Sequence, residues 1–110
     1  MNIAFKTKKL EKTLNTEKAL NVAYGKNAKP LKRRLAVLRA ALCLGEVSHL
    51  PPDRRHELTG NRKGTFAVDL KHPHRLVFKP NHNSVPEDED GGIDLTKVTA
   101  IMILGVEDYH

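Results

Sequence analysis

A chain of 110 residues is close to the usual size of one compact domain, and two independent cores cut from it would each be too small to hold, so a single domain over residues 1–110 is expected. The formal charge of +6 is unevenly spread, with eleven Lys or Arg against only Glu11 and Glu17 between Met1 and Arg39; that half attracts polyanions such as nucleic acid, the ribosome or an acidic protein segment. A lone cysteine, Cys43, excludes an internal disulfide and a Cys-based metal framework, and neither a signal-like apolar region nor a run of roughly twenty apolar residues is found, so a cytoplasmic protein without a membrane span is expected.

Ile3 and Phe5 alternate with Asn2, Ala4 and Lys6, the period of a short strand. From Thr7, Leu10 and Leu14 among Lys and Glu predict an amphipathic helix ending before Tyr24-Gly25. A second helix is predicted from Pro30 to before Gly45, with Leu31, Leu35, Leu38 and Leu42 on one stripe and Lys32, Arg33 and Arg39 largely off it. Pro51-Pro52 then forces an extended loop. Phe66 to Leu70 and Arg75 to Lys79 read as two antiparallel strands, the second with Arg75, Val77 and Lys79 on one face and Leu76 and Phe78 on the other.

Residues 80–97 read as a long loop carrying five of the thirteen acids, Glu87-Asp88-Glu89-Asp90 among them, so the remainder of the chain carries 18 − 8 = +10. Val98 to Leu104 is nearly unbroken apolar sequence, expected as a central strand covered on both faces. The fold class implied is α+β, two helices packed on a small, mainly antiparallel sheet.

Two segments carry chemistry. Arg54 to Gly64 places Arg54, Arg55, Arg62 and Lys63 with His56 and two glycines in a loop entering a strand; forked guanidinium donors suit phosphate, and imidazole moves protons near neutrality. Glu107-Asp108-Tyr109-His110 is a second titratable group, delivered by the last strand. Metal-free RNA cleavage needs a base for the ribose 2′-hydroxyl, a cation for the crowded phosphate and an acid for the leaving oxygen. His56, Arg75 and His110, assisted by Asp108 and Tyr109, supply those functions if loop and tail meet. A metal site at His72, His74 and His82 is a weaker alternative, since Pro73 separates the first two and no fourth ligand stands out.

The order of these pieces resembles the HigB branch of the RelE/ParE toxin superfamily. The resemblance runs over nearly the whole chain: a short first strand, a basic helical segment with Leu stripes, a Leu-Pro turn, Arg-x-His-x-Leu-x-Gly-x-Arg-x-Gly at Arg54 to Gly64, Arg-apolar-apolar-Phe at Arg75 to Phe78, and Glu-Asp-Tyr-His at 107–110. It implies a compact RelE-like fold and a metal-independent, cofactor-free endoribonuclease that cuts messenger RNA in the ribosomal A site, restrained by a helix-turn-helix, HigA-like antitoxin. Carried over by position, His56, Arg75, Asp108, Tyr109 and His110 are the catalytic set, and Arg54, Arg55, Arg62 and Lys63 the RNA-binding one.

Two departures stand out. Thr59 occupies the position before the first loop glycine where relatives often carry Lys, and the acidic loop would repel RNA if it folded over the cleft. They keep open a degenerate relative that only binds its antitoxin; a gyrase-inhibiting toxin fits the terminal Asp-Tyr-His less well.

Overall fold

A computed structural model describes residues 1–108. The first predicted helical stretch is divided into α1 (Lys8–Asn15) and α2 (Glu17–Tyr24). Thr16 causes the break: extended at φ −122°, it ends α1 and caps α2 by accepting from the Ala19 amide at 3.2 Å, as Thr7 caps α1 through the Leu10 amide at 3.1 Å. The break re-aims the apolar positions. Leu14 and Leu20, six residues apart and off the register of one continuous helix, are both buried.

Helix α3 (Ala28–Ala40) starts with Pro30 in its first turn, where a missing N–H costs no helical bond. It buries Leu31, Leu35 and Leu38 together with Arg34. Leu42 departs from the expected stripe: the chain turns extended at Ala41, leaving Leu42 beyond the helix and 77% exposed. Leu44 and Val47 close the core instead, with the Leu44 amide donating to the Val98 carbonyl at 2.9 Å.

The five strands are β1 (Asn2–Phe5), β2 (His56–Glu57), β3 (Phe66–Asp69), β4 (His74–Pro80) and β5 (Ala100–Asp108), in the sheet order β1-β5-β4-β3-β2. β1 runs parallel to β5 and the other three pairings are antiparallel, so the sheet is mixed. The main core joins the buried helix positions to Phe66, Val68, Leu76, Phe78, Val98, Ile101 and Ile103, with the Phe66 and Phe78 rings stacked 6.2 Å apart.

The opposite face carries a smaller apolar cluster of Leu58, Ala67 and Val77 with Leu104 half-buried against it. β5 is central, between β1 and β4, yet it is not covered on both faces as its composition suggested. Ile101 and Ile103 are buried, while Met102 and Leu104 on the other side are only partly so.

Between Val77 and Phe78 of β4 the register with β5 shifts, Val77 facing Gly105 and Phe78 facing Ile103, so that Leu104 is an extra residue. Gly105 sits at φ +154°, a backbone conformation that side chains other than hydrogen rarely allow. Beyond the bulge Val106 packs on the main core and Glu107 faces away from it, opposite Arg75. Strict alternation from Ile101 and Ile103 would have aimed Glu107 into the core.

Truncating Leu35 to Ala should cost about 2–5 kcal/mol and truncating Leu42 to Ala less than about 0.5 kcal/mol, read as shifts in urea denaturation midpoints. A large cost at Leu42 would mean that α3 continues past Ala41.

Candidate functional site

Residues opposite one another in a ladder share a face, so the register sets the composition of the open face. Across it, His56 lies opposite Ala67 and Ala67 opposite Val77; one step along the same face, Asp69 lies opposite Arg75 and Arg75 opposite Glu107. His56 and Arg75, named from the sequence for proton transfer and phosphate, therefore stand on one face. They are two strands and two residues apart, roughly 12 Å between Cα atoms by standard strand spacings.

The loop before β2 is fastened by charges. Arg34 reaches out of α3 to donate through Nε to the Asp69 carbonyl at 2.8 Å and lies 3.6 Å from the Asp53 carboxylate. Arg54, with φ at +46°, donates two bonds to the Asp69 carboxylate at 2.6 and 2.9 Å. Arg55 donates Nε to the Val47 carbonyl at 2.8 Å, and burial lowers its pKa from the usual guanidinium value. Two of the three arginines expected to grip RNA thus hold the loop in place.

His56 Nδ1 lies 2.8 Å from the Arg54 carbonyl oxygen. A carbonyl can only accept, so Nδ1 carries the proton, and in the neutral ring Nε2 is left as the proton acceptor.

Between β2 and β3 the chain turns through Gly60 and Gly64, both at positive φ, and is closed by the Glu57 carboxylate accepting from the Gly64 amide at 3.0 Å. From this turn Arg62 reaches across the sheet to Glu107, with Nη1 to Oε1 at 2.5 Å and Nη2 to Oε2 at 2.7 Å. Arg75 Nη2 lies 4.0 Å from the same carboxylate, and the Arg75 side chain is only 16% exposed. Lys63 is exposed.

The hydrogen bond from Arg62, then the charges of Arg62, Arg75 and Lys6, hold Glu107 below the usual carboxylate value against an opposing effect of burial. Arg62 is raised in turn, chiefly by the hydrogen bond to Glu107. Lys6 was not among the expected site residues, and Glu107, named in the terminal titratable group, was given no role. Gly105 inside an apolar strand was the available signal for Glu107, because glycine there marks a bulge that reverses the alternation.

Asp108 is exposed at the end of β5 and lies opposite His74, on the other side of the sheet from Glu107 and Arg75. Tyr109 and His110 lie outside the described residues. The acidic loop joins the Pro80 end of β4 to the Ala100 end of β5, roughly 20 Å of strand from Arg75 and Glu107. There Asp88 accepts from the amides of Asp90 and Gly92, and Leu95 packs by Gly45. The concern that this loop covers the cleft does not match its anchoring.

His82 Nε2 accepts from the Thr99 amide at 3.2 Å, and no group of three or more His, Cys, Asp or Glu among the described residues is placed to hold a metal ion. No helix among them is long and apolar enough to cross a membrane.

No protein-family model and no curated protein matches the chain. Solved structures do match. The YoeB/ParE toxin from Agrobacterium tumefaciens superposes with a TM-score of 0.57 at 8% identity, over 100% of both chains. A YoeB-YefM complex from Staphylococcus aureus gives 0.52 at 19%, and a heterotetrameric YoeB-YefM toxin-antitoxin complex from the same organism 0.51 at 18%, each over 100% of this chain and 97% of that one. At such identities the likeness is one of fold: the chain has the α+β fold of YoeB/ParE-type toxins.

A carboxylate held below its unfolded value, ordinarily 4.5, stabilises the folded state above that value, and the contribution fades as pH falls through the folded one. Glu107→Gln should therefore melt below the wild type near neutrality. The gap should close as pH falls below about 4.5, in thermal melts monitored by circular dichroism. A gap that persists in acid would show that the charge of Glu107 does not stabilise the fold.

Proposed function

We propose that this protein is an RNA-cutting toxin of a type II toxin–antitoxin pair, of the HigB branch of the RelE/ParE superfamily, acting as a single-domain, cytoplasmic, ribosome-dependent endoribonuclease on messenger RNA in the A site. The observation that carries the reading is that His56 and Arg75, the two residues the family resemblance names, stand on one face by strand register, in a fold similar to that of YoeB/ParE-type toxins. The Leu-stripe helices, the loop from Arg54 to Gly64 and the closing Asp-Tyr-His favour HigB within that superfamily.

In this mechanism His56 Nε2 takes the proton from the ribose 2′-hydroxyl, whose oxygen then bonds to the adjacent phosphorus. Arg75 neutralises the charge that builds on the non-bridging oxygens. The bond from phosphorus to the 5′-oxygen breaks, and His110 returns a proton to that oxygen, leaving a 2′,3′-cyclic phosphate and a free 5′-hydroxyl. Tyr109 stacks on a base, and Asp108, opposite His74 on the other side of the sheet from Arg75, is kept for orienting a histidine rather than for touching the ribose. Arg62 and Lys63 contact the RNA backbone, with Arg54 and Arg55 contributing positive charge from their fixed positions. No metal or cofactor has a step here.

The partner in the cell is a helix-turn-helix, HigA-like antitoxin. The YoeB chains that this fold resembles are found in complex with YefM, which supports an antitoxin partner of some kind.

The test is primer-extension mapping of a message in a ribosome-containing translation reaction. The unmodified protein should cut, and omission of ribosomes should abolish the cuts. His56→Ala, Arg75→Ala and His110→Ala should each slow cleavage by about 100-fold or more. Antitoxin binding should survive all three. Intact message in the presence of folded wild-type protein would overturn the nuclease reading.

A further inference from the structure

Glu107 stands among cations on the open face. Its two oxygens take the forked donors of Arg62 at 2.5 and 2.7 Å, Arg75 approaches to 4.0 Å, and the charge of Lys6 reaches it from the chain leaving β1. Asp69, the next acid on that face, already accepts two bonds from Arg54. Among the described residues, Lys6, Arg62 and Arg75 all act on the one carboxylate of Glu107.

A forked guanidinium engages a carboxylate and a phosphodiester through the same paired geometry, two N–H groups on two oxygens. The pair is also exchangeable. Arg62 is 38% exposed and Glu107 32%, and ion pairs so open to water hold weakly enough to be displaced by a competing anion. The arginine rides on a short turn flanked by two positive-φ glycines, and the carboxylate on a strand paired there with β4.

We propose that Lys6, Arg62 and Arg75 form a binding site for a backbone phosphate of single-stranded RNA, and that Glu107 fills this site as an internal stand-in which the phosphate displaces. The inference deepens the ribonuclease reading and rests on it for the choice of RNA. It gives Glu107 a role opposite to that of a binding residue: the carboxylate keeps the cations ordered while the site is empty and competes with the ligand. A chain without it would bind RNA more tightly and more indiscriminately.

The experiment is fluorescence anisotropy with a labelled hexanucleotide made wholly of 2′-O-methyl RNA, which cannot be cut, and the full chain as wild type, Glu107→Gln, Arg62→Gln and the double variant, over a range of salt. Glu107→Gln should tighten binding about three- to tenfold at low salt, with the gain shrinking as salt rises. Arg62→Gln should weaken binding, and the gain from Glu107→Gln should largely vanish in its background.

A purely structural clasp gives a different pattern, in which both single variants weaken binding. Unchanged or weaker binding by both Glu107→Gln and Glu107→Ala, in proteins that still melt cooperatively, overturns the proposal, as does the absence of binding by every variant at low salt. The two readings fail separately. Message left intact on ribosomes while Glu107→Gln tightens oligonucleotide binding removes the nuclease and keeps the site; message cut without that tightening does the reverse.

Discussion

The arrangement of the open face depends on one backbone irregularity, the extra residue at Leu104-Gly105. Up to Ile103 strand β5 alternates between the core and the open side with the strict period of two. The bulge inserts one residue, and everything after it changes sides: Val106 turns into the core, Glu107 turns out beside Arg75, and Asp108 turns back opposite His74. A side chain at 105 would need the unusual φ of +154° that glycine tolerates. The bulge thus links core packing to site chemistry, since a regular strand would bury a carboxylate under the helices and point Val106 at solvent.

The second constraint is that basic residues are divided between holding the scaffold and facing outward. Arg34, nearly buried, ties α3 to both Asp53 and the backbone of Asp69, and Arg54 closes on the same Asp69 from the loop. Three elements are thereby fixed within a few ångströms of the start of β2. His56 inherits its orientation from them, because its ring donates to the carbonyl of Arg54. Asn27 does similar work just beyond the same end of β3, its side-chain oxygen accepting from the Lys71 amide. Charge density read along the chain therefore overstates how many cations remain for a ligand.

Much of this was legible in the sequence and some was not, for physical reasons that differ by element. The strands at 66–69 and 74–80 follow from alternation, and the faces of Arg75 and Leu76 follow with them. Helix α3 was legible from its leucine spacing, and Arg34 could have been placed on the buried stripe, since it lies three residues after Leu31 and four before Leu38. Leu42 fits the same spacing but lies outside the helix, because periodicity reports a face and not where the backbone stops. The division at Thr16 had a signal in a threonine able to cap, which the long Lys- and Glu-rich stretch concealed. Glu107 was hidden because a bulge is a property of two strands in register, and one strand's sequence carries only its glycine.

The fold also separates charge along the sheet. The antiparallel pairing of β4 with β5 sends the acidic loop to the end where Pro80 meets Ile101, while Arg75, Arg62 and Glu107 gather at the opposite end. The loop's attachment points lie roughly 20 Å along the strands from the cationic end, more than twice the screening length in physiological salt. A polyanion approaching the molecule is repelled from one end of the sheet and attracted to the other, which orients it before any contact forms. The loop that reads as an obstacle from composition alone is attached, in the topology, at the end of the sheet away from Arg75 and Glu107.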